Sequence, residues 1–570
     1  MNINGIYVIY RIGKERFYST EKETPHYRVE IEESDNRLNV ILIPKQQEMY
    51  MLNFGIHYAR KMDSAEKFFA NGYQAWTTTR EYGKNDTALT YLPLADHWKF
   101  ARDYVWMCTD GRIRPGSKRE KGVFHSFTYT YFRKNDVVEF WGSLTERQGF
   151  TIFDVDYNTD TFVVDKDIEG AIISKPYTVF DIVKFYGDYD TVFDKYFQAM
   201  GVKKPRIDHM AGYTSWYNYY TKISHEIILR DLEGLDRAKE TADIFQIDDG
   251  YELCVGDWLE TNKRFPKDKD MGFYAKKIHE KGYKAGLWLA PFNATRKSKT
   301  YKEHRDWVLK DEKGKKYLGC MAWGGAYTFD IYNQEFRKHL KHVFDVVCNE
   351  WGYDMVKLDF LYSQCMIPRA GKTRGEIMCD AMDLLRECVG DTLFLGCGVP
   401  LGPCFGIVDA CRISCDVSSN YQGDFYLRMF HLNNEVPSAK NAINNSIFRR
   451  HLNGRVFVND PDVFFLRDFN IKFTDEQKHL LAKVNNLCGD VLFVSDDIGK
   501  YGDKEVEAVK GYFKKSNAHI ISAEYVTDSE IKILYTENGT KKVLHFDIQK
   551  GKIIEDGIAP KEEKKADKKD

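Results

Sequence analysis

DIFQIDD (243–249), YKAGLWLAP (283–291) and DMVKLDF (354–360) are short apolar runs, and two of the three stop on a carboxylate. Five further runs have the same texture: AGYTSWY (211–217), DTLFLGC (391–397), DACRISCD (409–416), RVFVND (455–460) and DVLFVSDD (490–497). Amphipathic segments lie between them, among them FYAKKIHEKG (273–282), with Gly282 as the expected C′ residue, and EFRKHLKHVFDVVCNEWG (335–352). Eight strand-like runs alternating with helices predict a (β/α)8 barrel over residues 206–499. A ninth run, AYTFDIYN (326–333), is read as part of a long excursion between the third and fourth strands.

Outside this segment the texture changes. Residues 1–205 carry β-branched and aromatic runs separated by polar turns: 6–12, 27–32, 39–44, 124–132, 137–144 and 161–166. They predict an N-terminal β-sandwich, joined to the barrel by KKPRID (203–208). Runs at 519–527, 530–537 and 541–548 predict a small C-terminal antiparallel β-domain over 500–556, and 557–570 reads as a disordered charged tail. The expected fold class is therefore multidomain α/β plus all-β, with a central (β/α)8 TIM barrel.

Composition removes several functions. Lys and Arg total 83 against 85 Asp and Glu, a net charge of −2, so no basic excess is available to neutralise nucleic-acid phosphates. No run approaches the ~18–20 apolar residues of a membrane helix. The 12 Cys form no CxxC pair and no HExxH occurs, so a structural zinc or a zinc protease has little support. Scattered thiols and a start without a basic-then-apolar leader lead to the expectation of a cytoplasmic protein. Aromatic residues make up 15% of the chain, which suits both a β-rich core and surfaces that hold sugars.

In such a barrel the polar residues at the C-terminal strand ends face the active site. In order these are Trp216, Asp248 and Asp249, Trp288, Lys357 with Asp359, Cys397, Arg412 with Asp416, and Asp460 with Asp462. A single terminal Asp is as readily a helix cap; five of eight strands ending in carboxylates is a pattern. Lys357 and Asp359 are two apart on one strand and share a face, so the lysine is expected to keep Asp359 ionised, as a nucleophile requires. Asp416 is expected at the pocket mouth, where burial among carboxylates fits it to donate a proton. Two carboxyl groups in opposed environments across a pocket are what glycosidic cleavage needs. Asp248 and Asp249 can accept hydrogen bonds from vicinal hydroxyls, and Trp216 and Trp288 offer flat apolar faces.

FQIDDGYE (245–252), VGDW (255–258), AGLWLAP (285–291), VKLDF (356–360), LGCGVPLG (395–402), RISCDV (412–417) and NDPD (459–462) occur in this order and resemble glycoside hydrolase family 36, the bacterial α-galactosidases. NGYQAW (71–76) in the N-terminal region is similar to a family element. The resemblance implies retention through a covalent glycosyl-enzyme, with Asp359 as nucleophile and Asp416 as acid/base. It further implies that Asp248 and Asp249 hold O4 and O6 of galactose, that Lys357 and Arg412 bond hydroxyls near O3 and O2, and that Trp216 and Trp288 are walls of the sugar subsite. Trp76 would lean over the site from the N-terminal domain. No metal or other cofactor is implied. The expected partner is an oligosaccharide or glycoconjugate, with self-association into a homo-oligomer left open. Two departures stand out. CGVPLGPCFG (397–406) replaces the loop many relatives carry at the sugar 2-position, near Cys397, which leaves galactose and N-acetylgalactosamine both open as substrates. KLD lacks a Trp that many members place between Lys and Asp. Transglycosylation at the same site, and a catalytically silent sugar-binding protein, are the other readings considered.

Overall fold

Nine parallel strand segments build one continuous sheet in the computed structural model, which describes residues 3–45, 48–88, 110–111, 113–114, 120–425 and 437–560. We number them β1 (Met210–Thr214), β2 (Ile244–Ile247), β3 (Lys284–Leu289), β4 (Met355–Leu358), β5 (Leu393–Gly396), β6 (Ala410–Arg412), β7 in two pieces (Val458–Asp460 and Val463–Phe464) and β8 (Val491–Val494). Each strand pairs with its sequence neighbour from β1 to β7, and β8 pairs with β1. The barrel closes through β7, whose first piece bonds β6 and whose second bonds β8. Between the pieces stand Pro461 and Asp462, and Asp462 has φ +75°. This kink turns a buried carboxylate at the strand end. The strands read as continuous apolar runs because helices and the barrel interior cover both faces.

The excursion between β3 and β4 folds as a three-stranded antiparallel sheet of Asn293–Thr295, Leu318–Cys320 and Ala326–Thr328, so AYTFDIYN does lie in it. Helix Met271–Glu280 follows β2, and Gly282, at φ +85°, ends it as C′. The segment from 500 differs from its expected all-β texture. It opens on helix Asp503–Phe513, whose buried Val506, Val509 and Phe513 recur at helical spacing, and only then gives a four-stranded sheet over 519–558. Residues 561–570 lie outside the described residues. Among the described residues no helix is long and apolar enough to cross a membrane.

The N-terminal region holds two seven-stranded antiparallel sheets packed around a shared apolar core. The run 124–132, read as one strand, is two. Thr128 at φ +69° breaks it, sending Val123–Phe127 to one sheet and Tyr129–Lys134 to the other. These sheets dock onto the barrel through polar backbone. Buried Arg449, just after helix Ala439–Phe448, donates to the carbonyls of Gln74 (2.8 Å), Ala75 (2.8 Å) and Thr77 (2.9 Å), and also to Ile413 (2.5 Å) beyond β6. Asn445 adds bonds to the carbonyls of Ala75 (2.9 Å) and Thr77 (3.2 Å). The NGYQAW segment is thereby fixed over the C-terminal face of the barrel.

Candidate active site

Each carboxylate at the strand ends is defined by what it touches. Asp248, immediately after β2, accepts from the Lys357 ammonium (2.8 Å), Gln246 Nε2 (2.9 Å) and Thr214 Oγ1 (3.4 Å). Burial pushes its carboxyl up, but Lys357 overrides this and holds it below the usual range. Lysine and aspartate form a buried ion pair between β4 and β2. The lysine's direct partner is Asp248, and Asp359 acts on it through charge without a hydrogen bond.

Asp359 instead accepts from Trp288 Nε1 (3.3 Å) and from the Phe360 backbone N–H (2.7 Å). Gly398, at φ +53°, lies directly against it: a Cβ there would stand 2.9 Å from Asp359 Oδ1 and 2.9 Å from Phe360 N, so this position excludes every side chain. Cys397, the preceding residue, donates its N–H to the Leu358 carbonyl (2.8 Å), and burial pushes its thiol well up, with the charge of Asp359 adding to the effect.

Across the mouth, Arg412 at the end of β6 contacts three carboxylates: Asp416 (3.1 Å), Asp460 (3.1 Å) and Asp462 (2.8 Å). The arginine side chain is 3% exposed whereas that of Asp416 is 35% exposed, so the aspartate is the one open to a ligand. Enclosure by the pocket walls pushes the Asp416 carboxyl up; Arg412 opposes this and the charge of Asp359 reinforces it. Asp462 accepts from the Tyr217 hydroxyl and from Val417 N (2.9 Å), and burial raises its carboxyl to about 7.

Among the described residues no cation pairs with Asp249. Its Oδ2 accepts from Trp323 Nε1 (2.8 Å), while burial and then the adjacent Glu252 push its carboxyl well up. Trp323 is the residue that sequence reasoning missed. It sits at φ +56° in the turn of the excursion sheet, followed by Gly324 and Gly325, both at positive φ. Its ring lies 6.0 Å from Trp288 and 4.7 Å from Phe360, and Trp258 stands 5.9 Å from Trp288. The sequence signal was a tryptophan before two glycines, a place where strain is held for a purpose. Trp76 packs on the same cluster as Trp323 and Phe360, and Trp216 on the β1 side contacts Tyr220. The structure thus gathers Asp248, Asp249, Trp288, Lys357, Asp359, Cys397, Arg412 and Asp416 at one end of the barrel, with Trp76 and Trp216 at its edges.

The melibiase family model matches residues 217–376, a span that includes Asp248, Asp249, Trp288, Lys357 and Asp359. Mel36A, an α-galactosidase of Lactobacillus acidophilus, is 28% identical over 181 residues, 29% of this chain and 24% of the relative. The α-xylosidase XylQ of Lactiplantibacillus pentosus is 27% identical over 175 residues, 30% of this chain and 22% of that protein. The α-galactosidase TtGalA of Thermus thermophilus, solved with p-nitrophenyl α-D-galactopyranoside, superposes with a TM-score of 0.69 at 22% identity, covering 89% of this chain and 98% of that one. The resemblance to family 36 is borne out. So is the fold: a TIM barrel with flanking β-domains. The chain spans about a quarter of the length of the curated relatives it matches. Asp416 and Arg412 fall outside the stretch matched by the family model, so their part in the family 36 reading rests on the geometry above.

Proposed function

We propose that this chain is a retaining, exo-acting α-galactosidase that releases terminal α-linked galactose from oligosaccharides or glycoconjugates. The observation that carries the reading is the pair Asp359 and Asp416. They stand just beyond β4 and just beyond β6, the charge of Asp359 helps raise the Asp416 carboxyl, and the two have opposed surroundings. Asp359, held by an indole N–H and a backbone N–H, attacks the anomeric carbon. Asp416, its carboxyl raised, passes its proton to the leaving oxygen as the glycosidic bond breaks. Water then enters, Asp416 takes its proton, and the glycosyl–Asp359 ester is displaced with net retention. Lys357 with Asp248, and Asp249 with Trp323, supply donors and acceptors for ring hydroxyls, and Trp288 supplies an apolar wall. The charge balance and thiols of the chain fit a soluble enzyme working in the cytoplasm.

The test is hydrolysis of an aryl α-galactoside followed by NMR. Wild type should first release α-galactose. Asp359→Asn should lose at least about four orders of magnitude in kcat, a scale at which the covalent route is closed. First-formed β-galactose from wild type, or substantial turnover by Asp359→Asn, would overturn the mechanism.

A further inference from the structure

The turn that follows β1 holds an aromatic residue in a conformation tyrosine rarely adopts. Tyr220 ends the short helix Trp216–Tyr219 at φ +49°, its N–H donating to the Trp216 carbonyl. A non-glycine residue is kept there only where its surroundings impose it. Here they do. Arg264 donates to the carbonyls of Thr221 (2.5 Å), Ile223 (2.8 Å) and Gly250 (2.9 Å), tying the turn to the segment that carries Asp248 and Asp249. Gly250 lets the two backbones meet, since a Cβ there would stand 2.7 Å from Thr221 Cα.

The frame seats Ile223 in the core, but the Tyr220 ring stays outside it. The Tyr220 ring is 42% exposed, and its neighbour in ring contact is Trp216, edge to face at 5.2 Å. The inner end of the same turn belongs to the pocket: the Tyr217 hydroxyl reaches Asp462, and Tyr217 N–H donates to Ser495 Oγ (2.8 Å). One turn farther out, the aromatic surface continues from Trp216 to Tyr220 toward solvent. A rigidly held, solvent-facing ring beside a sugar pocket is suited to the C–H face of a second pyranose.

We propose that Tyr220, standing against Trp216, forms the platform on which the leaving-group sugar stacks, so that this chain prefers galactose α-linked to another hexose over galactosides whose leaving group has no ring. The proposal rests on the galactosidase reading. The discriminating quantity is the ratio of kcat/KM for melibiose, galactose α-linked to a glucose, to kcat/KM for α-galactosyl fluoride, whose leaving group is a single atom. Tyr220→Ala should lower this ratio about 3- to 10-fold, the size of one aromatic contact. Tyr220→Phe and Tyr220→Trp should keep it near the wild-type value. A ratio unchanged in Tyr220→Ala overturns the platform, as does an equal loss in Tyr220→Phe, which would point to the hydroxyl. Wild-type protein inert to galactosyl fluoride overturns the galactosidase reading itself, and the platform with it.

Discussion

The two sides of the barrel mouth treat their acidic residues in opposite ways. On the β2–β4 side one lysine directly pairs with one carboxylate: Lys357 bonds Asp248, and the pair is buried and matched. On the β6–β7 side one arginine is shared among Asp416, Asp460 and Asp462, leaving an excess of negative charge. The Asp248 carboxyl is accordingly held low, whereas those of Asp416 and Asp462 are raised. Burial pushes all three carboxyls up; the unshared lysine overrides it at Asp248, whereas the shared arginine does not at Asp416 and Asp462, so a fixed anion and a proton donor differ although all are aspartates.

The largest effect is expected from breaking the matched side. Lys357→Met leaves Asp248 buried without its cation, and removing one partner of such a pair costs about 3–5 kcal/mol. Denaturant unfolding should show that loss, with kcat/KM for an aryl α-galactoside falling in parallel. A change below about 1 kcal/mol would mean that Asp248 does not depend on the lysine. On the crowded side, Arg412→Lys keeps the charge but cannot reach three carboxylates with a planar fork. Each charged hydrogen bond lost removes about 1.5–3 kcal/mol. The alkaline limb of the pH–rate profile should move upward, because the group that opposes protonation of Asp416 is weakened. A limb that stays put would separate Asp416 from Arg412. A smaller effect is expected at Asp249: Glu252→Gln removes a neighbouring negative charge, so the Asp249 carboxyl should titrate lower, with KM for the galactoside changing only several-fold across pH 5–8.

Much of this was legible in the chain itself, for reasons that also explain what was not. The barrel strands are covered on both faces, so they read as unbroken apolar runs, and their functional residues stand where those runs stop. The break in β7 was hidden because NDPD reads equally well as a simple turn. Strand Met49–Ala59 was not read because Asn53 and Gly55 interrupt its alternation. The Tyr7 ring lies over Gly55, where a Cβ would meet it at 2.3 Å. Parity placed Lys357 and Asp359 on one face but could not say which acid the lysine reaches, since its partner comes from another strand. Trp323 reaches the site from the excursion, and Arg449 seats the NGYQAW segment through backbone carbonyls. The Arg449 contacts leave no pattern in the local sequence, and the one trace of Trp323 is the pair of glycines that follows it.

The sharpest test of the contrast is the dependence of stability on pH, because the two sides contribute with opposite sign. The folded carboxyl of Asp462 titrates at about 7, against 3.8 for its ordinary value. Between those values the folded state binds more protons than the unfolded one, so unfolding free energy falls as pH rises through that window and levels off above it. Asp248 is the reverse: its folded carboxyl is held low, so its contribution is present at neutral pH and is lost only as pH falls below the ordinary carboxylate range. Asp462→Asn should flatten the loss of stability between pH 5 and 7 measured by urea unfolding, and Asp248→Asn should leave that slope unchanged while lowering the whole curve. Tyr217→Phe refines the comparison by the least perturbing change. The phenol hydroxyl donates to Asp462 and lowers its proton affinity. Removing it should push the end of the sloping region to higher pH by less than about one unit. A shift to lower pH would mean that the crowding of carboxylates around Arg412 does not govern this side of the site.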